Sequence, residues 1–133
     1  MIFRLANRVF GIELSSIREI LSARRITRLP GAPPTVLGLI NVRGTIVTVI
    51  DLGARLTGEP ARAGGSVILV DHGTRAVGMA VDEVIDVQRL DDSSLGEDLD
   101  VVVSGGAVRA LGRHEGHAVA LLDPQDIISH VLA

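Results

Sequence analysis

The sequence contains no cysteine, tryptophan, tyrosine or lysine among its 133 residues. Without cysteine the chain can form neither disulfides nor cysteine-ligated zinc sites and has no thiolate nucleophile, which fits a reducing compartment. Aromatic residues are limited to Phe3 and Phe10, so the core must be built from Val, Ile, Leu and Ala. Such a core favours β-strands over aromatic-anchored binding pockets.

The chain also lacks an apolar run long enough for a signal peptide or a membrane span. Arg4 and Arg8 interrupt the N-terminal segment, which therefore has no signal-peptide pattern. The most hydrophobic run, residues 36–52, carries Arg43 and Asp51 and is not a transmembrane segment. We expect a cytoplasmic protein that does not insert into the membrane.

Charge is unevenly distributed along the chain. Residues 1–65 hold nine arginines against four acidic residues, a net charge of +5, whereas residues 82–100 hold eight acidic residues against one arginine, a net charge of -7. The basic residues are dispersed and have no aromatic neighbours for base stacking, which argues against nucleic-acid binding. The asymmetry indicates either a simple solvated acidic loop or a dipolar surface that orients protein partners.

Short apolar segments separated by glycine-containing turns predict a mostly β protein, an antiparallel barrel or sandwich. At this length one domain covering residues 1–133 is expected. Asp91 to Asp100 is polar and acidic, and is the best candidate for a linker. The predicted strands are residues 2–5, 9–14, 37–42, 45–52, 66–70, 76–81, 84–90, 101–111 and 118–122.

Three short helices are predicted between these strands. Ser16 and Glu19 have the spacing of a capping box, with apolar residues following at helical intervals. Residues 53–58 allow one helical turn. Asp123 and Pro124 have the residue types of an N-cap and a first helical position, so they predict a C-terminal helix. The segments VTVIDLGARL and VALLDPQDII both run from a strand through an aspartate into a helix, which hints at two related halves.

The sequence offers little catalytic chemistry. His114 and His117 frame a glycine-containing turn, RHEGH, and with Glu115 or Asp123 they could form a metal site. Two histidines on one helical face need a four-residue step, and here the step is three within a turn, so a solvated hairpin tip is favoured. No nucleophile elbow or phosphate-binding loop is present. We therefore predict no enzymatic activity, no metal and no cofactor, with a small-barrel metal protein or enzyme as the alternative.

The pair Arg43-Gly44 interrupts the apolar run VLGLINVRGTIVTVIDL, residues 36–52. Glycine supplies backbone conformations that other residues resist. The run therefore predicts two strands that meet at a turn formed by Arg43 and Gly44. At the end of the first strand the guanidinium can leave the core.

Three segments carry a family resemblance: FGIELSSIREI, ITRLPGAPPTVLGLINVRGTIVTVIDL and AVGMAVDEVIDV. Together they resemble the CheW family of bacterial chemotaxis coupling proteins, with GLINVRG as the most specific part. The resemblance implies two small, intertwined SH3-like β-barrels packed together. It implies a non-catalytic scaffold in the cytoplasm beneath membrane receptor arrays. Such a scaffold joins the cytoplasmic hairpin tip of a chemoreceptor to the regulatory domain of a histidine kinase, in chemotaxis or in surface motility or development.

The resemblance also implies site residues. An apolar groove for the receptor helix pair is expected, and Arg43 is expected to hold its shape by pairing with Glu19; the alternative is that Arg43 merely caps an exposed hairpin. The kinase contact is expected on barrel edge strands and turns, without assigned residues. The groove is expected from Ile17, Ile20, Leu39 and Val42, and the full receptor-binding set is Ile17, Glu19, Ile20, Leu39, Asn41, Val42, Arg43 and Gly44.

Overall fold

Ten strands and two short helices are found in the part of the chain that the structure describes. A computed structural model describes residues 1–22, 26–60, 64–87, 108–114 and 116–132. The described part has the predicted mostly β character. The elements are β1 (Ile2–Leu5), β2 (Arg8–Gly11), a 3-10 turn (Leu14–Ser16), β3 (Ile17–Ser22), β4 (Val36–Val42), β5 (Thr45–Asp51), α1 (Leu52–Leu56), β6 (Ser66–His72), β7 (Arg75–Val81), β8 (Glu83–Asp86), β9 (Val108–His114), β10 (His117–Leu122) and α2 (Pro124–Val131).

The strands form two five-stranded sheets. The central sheet has the order β3-β6-β7-β5-β4, and the terminal sheet has the order β8-β1-β2-β10-β9. Each sheet contains one parallel pair, β5 with β7 and β10 with β2, while the other neighbours are antiparallel. The two sheets therefore share one arrangement of strands. In the terminal sheet β8 corresponds to β3 of the central sheet, β9 to β4 and β10 to β5. The N-terminal β1 and β2 take the places of β6 and β7.

The equivalent helices begin in the same way. Asp51 accepts a hydrogen bond from the Ala54 amide at 3.0 Å at the start of α1, and Asp123 accepts from the Gln125 and Asp126 amides at the start of α2. Both aspartates are N-caps, which satisfy amides that have no partner within the helix. Both helix predictions are confirmed, and the hint of two related halves agrees with the strand arrangement.

Two apolar cores account for the hydrophobic composition. The inner core lies within the central sheet, and the intersheet core takes residues from both sheets and both helices. Side chains along β6 and β7 alternate between the two cores, which explains why these strands are apolar at nearly every position. The inner core is Ile40, Val47, Val49, Val67, Leu69 and Ala80. The intersheet core is Met1, Phe3, Leu5, Phe10, Ile12, Ile50, Leu52, Ile68, Val70, Val77, Met79, Val81, Leu122, Ile127 and Ile128.

A polar contact also joins the two halves. The Gln125 side-chain amide of α2 donates to the carbonyl oxygen of Asp71 near the end of β6. Its oxygen lies 2.8 Å from Nδ1 of His72, so Nδ1 is the donor in that contact. Because Gln125 follows β10 of the terminal sheet, this contact fixes α2 against the β6–β7 hairpin of the central sheet.

The helix predicted from Ser16 is wrong. Only a 3-10 turn is present, and β3 follows directly with exposure that alternates every residue from Ile17 to Ser22. β3 pairs with β6 along its length, and the pairing outweighs a local helical pattern because it covers apolar surface of both strands. Glu19 consequently pairs across the sheet edge with Arg43 and does not cap a helix at Ser16.

Some predictions lie outside the described residues. The proposed linker, residues 91–100, is among them, as are residues 101–107 and 88–90 of two predicted strands. Neither α1 nor α2, the helices of the described part, has the length and apolar character that crossing a membrane requires.

Candidate functional site

The β4–β5 hairpin ends in the predicted two-residue turn. Arg43 has φ of 49° and Gly44 has φ of 87°, the positive values that a type I′ hairpin turn requires at both central residues. Val42 and Thr45 are the last paired residues. Asn41 Oδ1 accepts a hydrogen bond from the Gly44 amide at 2.8 Å. The turn is therefore fixed from both sides, with the Arg43 side chain at the tip.

The Arg43 guanidinium binds the Glu19 carboxylate through two parallel hydrogen bonds. Nη1 donates to Oε1 at 2.8 Å and Nη2 donates to Oε2 at 2.6 Å. Such bidentate, charge-assisted pairs are geometrically specific. Arg43 is the more exposed partner, with 70% of its side chain accessible against 28% for Glu19. The predicted pairing is confirmed, although Glu19 comes from strand β3.

The electrostatics of the pair follow from its geometry. The hydrogen bond from Arg43 lowers the pKa of Glu19, an effect that burial opposes and that the positive charges of Arg43 and Arg18 reinforce. The same hydrogen bond, with the charge of Glu19, raises the pKa of Arg43. Both groups are therefore held in their charged forms at neutral pH.

The pair joins the two edges of the central sheet. β3 and β4 are the outermost strands in the sheet order, so Glu19 and Arg43 can meet only if the sheet curls. A second closure lies further along β4, where the amides of Thr27 and Leu39 each donate to the other residue's carbonyl, at 2.7 and 2.8 Å. A Cβ at Gly38 would lie 2.1 Å from the Thr27 carbonyl oxygen. Glycine at this position permits the close approach that closes the barrel.

A small pocket opens beside the pair, at this end of the central barrel. Its volume is about 220 Å³. The apolar wall belongs to the inner core, where Val47 and Leu69 are buried and Val42 and Ala76 are partly buried. The pocket is thus an open end of that core with arginines at its rim. The lining residues are Arg18, Val42, Arg43, Thr45, Val47, Leu69 and Ala76.

The residues implied for receptor binding divide into two groups. Glu19, Asn41, Val42, Arg43 and Gly44 come together at the hairpin tip. The remaining three do not join them in one groove. Ile17 packs against the intersheet core, and Ile20 points to the face of β3 opposite to Glu19. Leu39 shares a face of β4 with Asn41 but lies further from the turn.

Five pocket residues were not among the sequence candidates: Arg18, Thr45, Val47, Leu69 and Ala76. Two of them carried a signal, since Arg18 precedes Glu19 and Thr45 follows Gly44 in the chain. Leu69 and Ala76 reach the pocket through the pairing of β6 with β7, which brings together residues from different parts of the sequence.

The histidine alternative receives no support from placement. His114 and His117 face each other as Cα partners at the end of the β9–β10 hairpin, while their side chains and Glu115 lie outside the described part. Asp123 caps α2. No group of three metal-ligating side chains is found among the described residues.

Comparison with known proteins agrees with this architecture. The family model of the CheW-like domain matches residues 1–132. The chain is 36% identical over 92 residues to the chemotaxis protein CheW of Klebsiella aerogenes, covering 68% of this chain and 55% of the relative. It is 34% identical over 99 residues to protein PilI of Pseudomonas aeruginosa, covering 73% of this chain and 56% of the relative. The match thus spans little more than half the length of these curated relatives.

A solved structure is similar over nearly the whole chain. The crystal structure of the scaffolding protein TtCheW from Thermoanaerobacter tengcongensis superimposes with a TM-score of 0.83 and 24% identity. The superposition covers 96% of this chain and 84% of the other. At this identity the likeness establishes the fold, and it confirms the predicted pair of small SH3-like barrels.

Proposed function

This chain belongs to the CheW-like domain family, and on that premise we propose that it is a non-catalytic adaptor between a chemoreceptor and a histidine kinase. In this role it binds the cytoplasmic hairpin tip of the receptor and the regulatory domain of the kinase. It acts in the cytoplasm, beneath membrane receptor arrays, as one domain of two intertwined barrels that needs no cofactor.

The observation that carries the proposal is the Arg43–Glu19 pair. A surface arginine that merely capped a hairpin would not need a bidentate partner on another strand, yet both carboxylate oxygens of Glu19 are engaged. Exposed ion pairs add little stability, about 0–1 kcal/mol. A fixed guanidinium on a rigid turn is better explained by recognition, because ordering it beforehand lowers the entropic cost of binding.

We place the receptor contact at the hairpin tip formed by Asn41, Val42, Arg43 and Gly44, with Glu19 behind it. The four residues are held by the turn and by the Asn41 hydrogen bond. Ile20 is exposed on the other face of β3, and Leu39 is half-buried on the same face of β4 as Asn41, further from the turn. Ile17 supports β3 from the intersheet core.

The kinase contact is proposed on edge strands and turns, as the resemblance implies. In the described part β8 is an edge strand of the terminal sheet. Ile85 is 45% exposed, and Val87, just beyond the strand, is 55% exposed. Apolar side chains at a sheet edge provide a surface on which another β domain can dock.

A second proposal keeps the adaptor role but changes the pathway. The similarity to a protein named PilI supports coupling in a non-swimming pathway, such as surface motility or development. Deleting the gene in the source organism separates the two. Loss of swimming chemotaxis with normal surface spreading supports the first proposal, and the reverse result supports the second.

The decisive experiment is co-sedimentation of the purified protein with a receptor cytoplasmic fragment and the candidate kinase. We expect the protein to sediment with the receptor alone, and the kinase to sediment and increase its autophosphorylation only when the protein is present. A protein that stays in the supernatant with both partners contradicts the proposed function.

A further inference from the structure

The walls and rim of the pocket at the open end of the central barrel indicate which kind of group fits it. Its walls are apolar, since Val42, Val47, Leu69 and Ala76 all belong to or pack against the inner core. Its volume of about 220 Å³ is below the roughly 300–1,000 Å³ of sites that hold small-molecule ligands. The pocket therefore suits one apolar side chain of a partner protein.

The rim adds a directional polar group. A guanidinium has five N–H donors, and Glu19 engages the Nη1–Nη2 end of Arg43. Among the described residues Arg43 has no second hydrogen-bond partner, so the edge that includes Nε remains available. The other rim arginine, Arg18, lies 3.3 Å from the Asp71 carboxylate, and both of those side chains are exposed.

The charges at the rim are balanced. Glu19 and Asp71 offset Arg43 and Arg18, so net charge alone does not attract an anion. A planar guanidinium edge nevertheless favours a carboxylate, which can accept two parallel hydrogen bonds from it.

We propose that this pocket takes one apolar side chain of the receptor tip while a neighbouring receptor carboxylate binds the free edge of Arg43. The inference rests on the proposed function, because it takes the receptor as the partner. It adds a recognition chemistry, an apolar residue beside an acidic one, and assigns a direct role to Thr45, Leu69 and Ala76 as pocket residues.

The test fills the pocket without removing the ion pair. Ala76→Leu adds three carbons to the pocket wall. Ala118→Leu adds the same three carbons at an exposed position of β10 in the terminal sheet. In co-sedimentation with the receptor fragment, we expect Ala76→Leu to weaken binding about tenfold or more, and Ala118→Leu to bind as the unaltered protein does. Circular dichroism and an NMR titration of Glu19 check the fold and the ion pair.

A second variant guards against misfolding. Thr45 is exposed at the pocket mouth, so Thr45→Phe blocks the entrance without altering the core. If folded Ala76→Leu and Thr45→Phe both bind the receptor as tightly as the unaltered protein does, the pocket assignment is overturned. The proposed function then remains intact. If the two variants lose kinase binding but keep receptor binding, the choice of the receptor as occupant is overturned. If the unaltered protein does not bind the receptor at all, the proposed function fails as well.

Arg43→Lys tests the carboxylate contact separately. Lysine can still pair with Glu19 but lacks a second planar edge. We expect the pKa of Glu19 to stay below its ordinary value and receptor binding to fall about tenfold. Unchanged binding by this variant contradicts the carboxylate contact.

Discussion

Arg43 is held in a backbone conformation that few residues other than glycine adopt. Its φ of 49° is uncommon for a side-chain-bearing residue and most tolerable in tight turns. Gly44 supplies the second positive φ, Asn41 binds the Gly44 amide, and Glu19 holds the guanidinium. Each neighbour of Arg43 therefore contributes to one outcome, a charged group at a fixed place on the surface.

Replacing Arg43 with alanine separates function from stability. Arg43→Ala removes both hydrogen bonds to Glu19, and because the pair is solvent-screened we expect the free energy of unfolding to change little. Receptor binding should fall about tenfold or more, and kinase activation should be lost with it. Urea unfolding and co-sedimentation measure the two effects.

Two further variants complete this comparison. Arg8→Ala removes an equal charge from an exposed position at the start of β2 in the other sheet and should bind the receptor normally. Glu19→Arg places two like charges together and should match the defect of Arg43→Ala. Normal receptor coupling by Arg43→Ala would show that the pair has no role in recognition.

The pair also has a pH signature. Because Arg43 lowers the pKa of Glu19, the folded state favours the carboxylate more than the unfolded state does. Its contribution to stability is thus fully present above the ordinary glutamate pKa, about 4.3, and is lost as the pH falls through the lowered value. An NMR titration of Glu19 should show this lowered pKa, and Arg43→Ala should return it toward the ordinary value. An identical titration in the two proteins would mean that the hydrogen bonds do not persist in solution.

Sequence and resemblance together identified the members of this pair but not the faces of their strands. Glu19, Arg43 and the turn could be predicted because their relation is part of a recognisable motif. The grouping of Ile17 and Ile20 with Val42 could not, since it assumed a helical spacing on a segment that pairs as β3 with β6. In a strand, adjacent residues point to opposite faces.

At the scale of elements, the central barrel closes where β4 meets the segment after β3. The contact depends on Gly38, whose missing side chain leaves room for the Thr27 carbonyl. The amides and carbonyls of Thr27 and Leu39 are paired only if this approach is preserved. Glycine is therefore required at position 38 chiefly for closure of the barrel, and less for the formation of strand β4.

Gly38→Ala should be strongly destabilising. The added carbon would lie 2.1 Å from a backbone oxygen, which cannot move aside as a flexible side chain could. We expect a loss of about 3 kcal/mol or more, because overpacking and broken backbone pairing combine. Urea unfolding measures it.

Gly58→Ala is the matched control for this substitution. Gly58 has φ of 78° and nothing lies within 4 Å of an added Cβ, so only the backbone penalty of about 1–2 kcal/mol applies. Equal losses for the two variants would show that close approach to Thr27 is not what requires glycine at position 38.

Element types were predictable wherever the local pattern matched the tertiary pairing. The hairpins and the two aspartate-capped helices have signals that lie within a few residues of each other, as at Asp51 and Asp123. The segment that begins at Ser16 has the residues of a helix start. Its strand β3, however, pairs with β6, about 50 residues away. Such a partner is absent from any local window, so the sequence pattern favoured the wrong element.

At the scale of the whole molecule, the two sheets share one apolar interior. The intersheet core takes Phe3 and Phe10 from the terminal sheet and Ile68 and Met79 from the central sheet. The two phenylalanines stack at a centroid distance of 6.1 Å. We therefore propose that the two halves unfold together, since each covers the apolar face of the other.

The absence of tryptophan makes this cooperativity measurable. Ile46→Trp places a fluorophore at an exposed site of the central sheet, and Ala118→Trp places one at an exposed site of the terminal sheet. We expect the two single-tryptophan proteins to unfold at the same urea concentration, each coinciding with its own circular dichroism transition. Separate transitions for the two sheets would contradict a single cooperative unit.

The order of strands in the terminal sheet has a consequence during synthesis. β2 is synthesised before β10, the strand beside which it lies in the folded sheet. Roughly 100 residues separate them, and at about 5–20 residues per second the first hairpin waits roughly 5–20 s for its neighbour. During that time the central strands can pair among themselves, while Phe3 and Phe10 remain without their final cover. The nascent domain is thus most vulnerable to misassociation at this first hairpin.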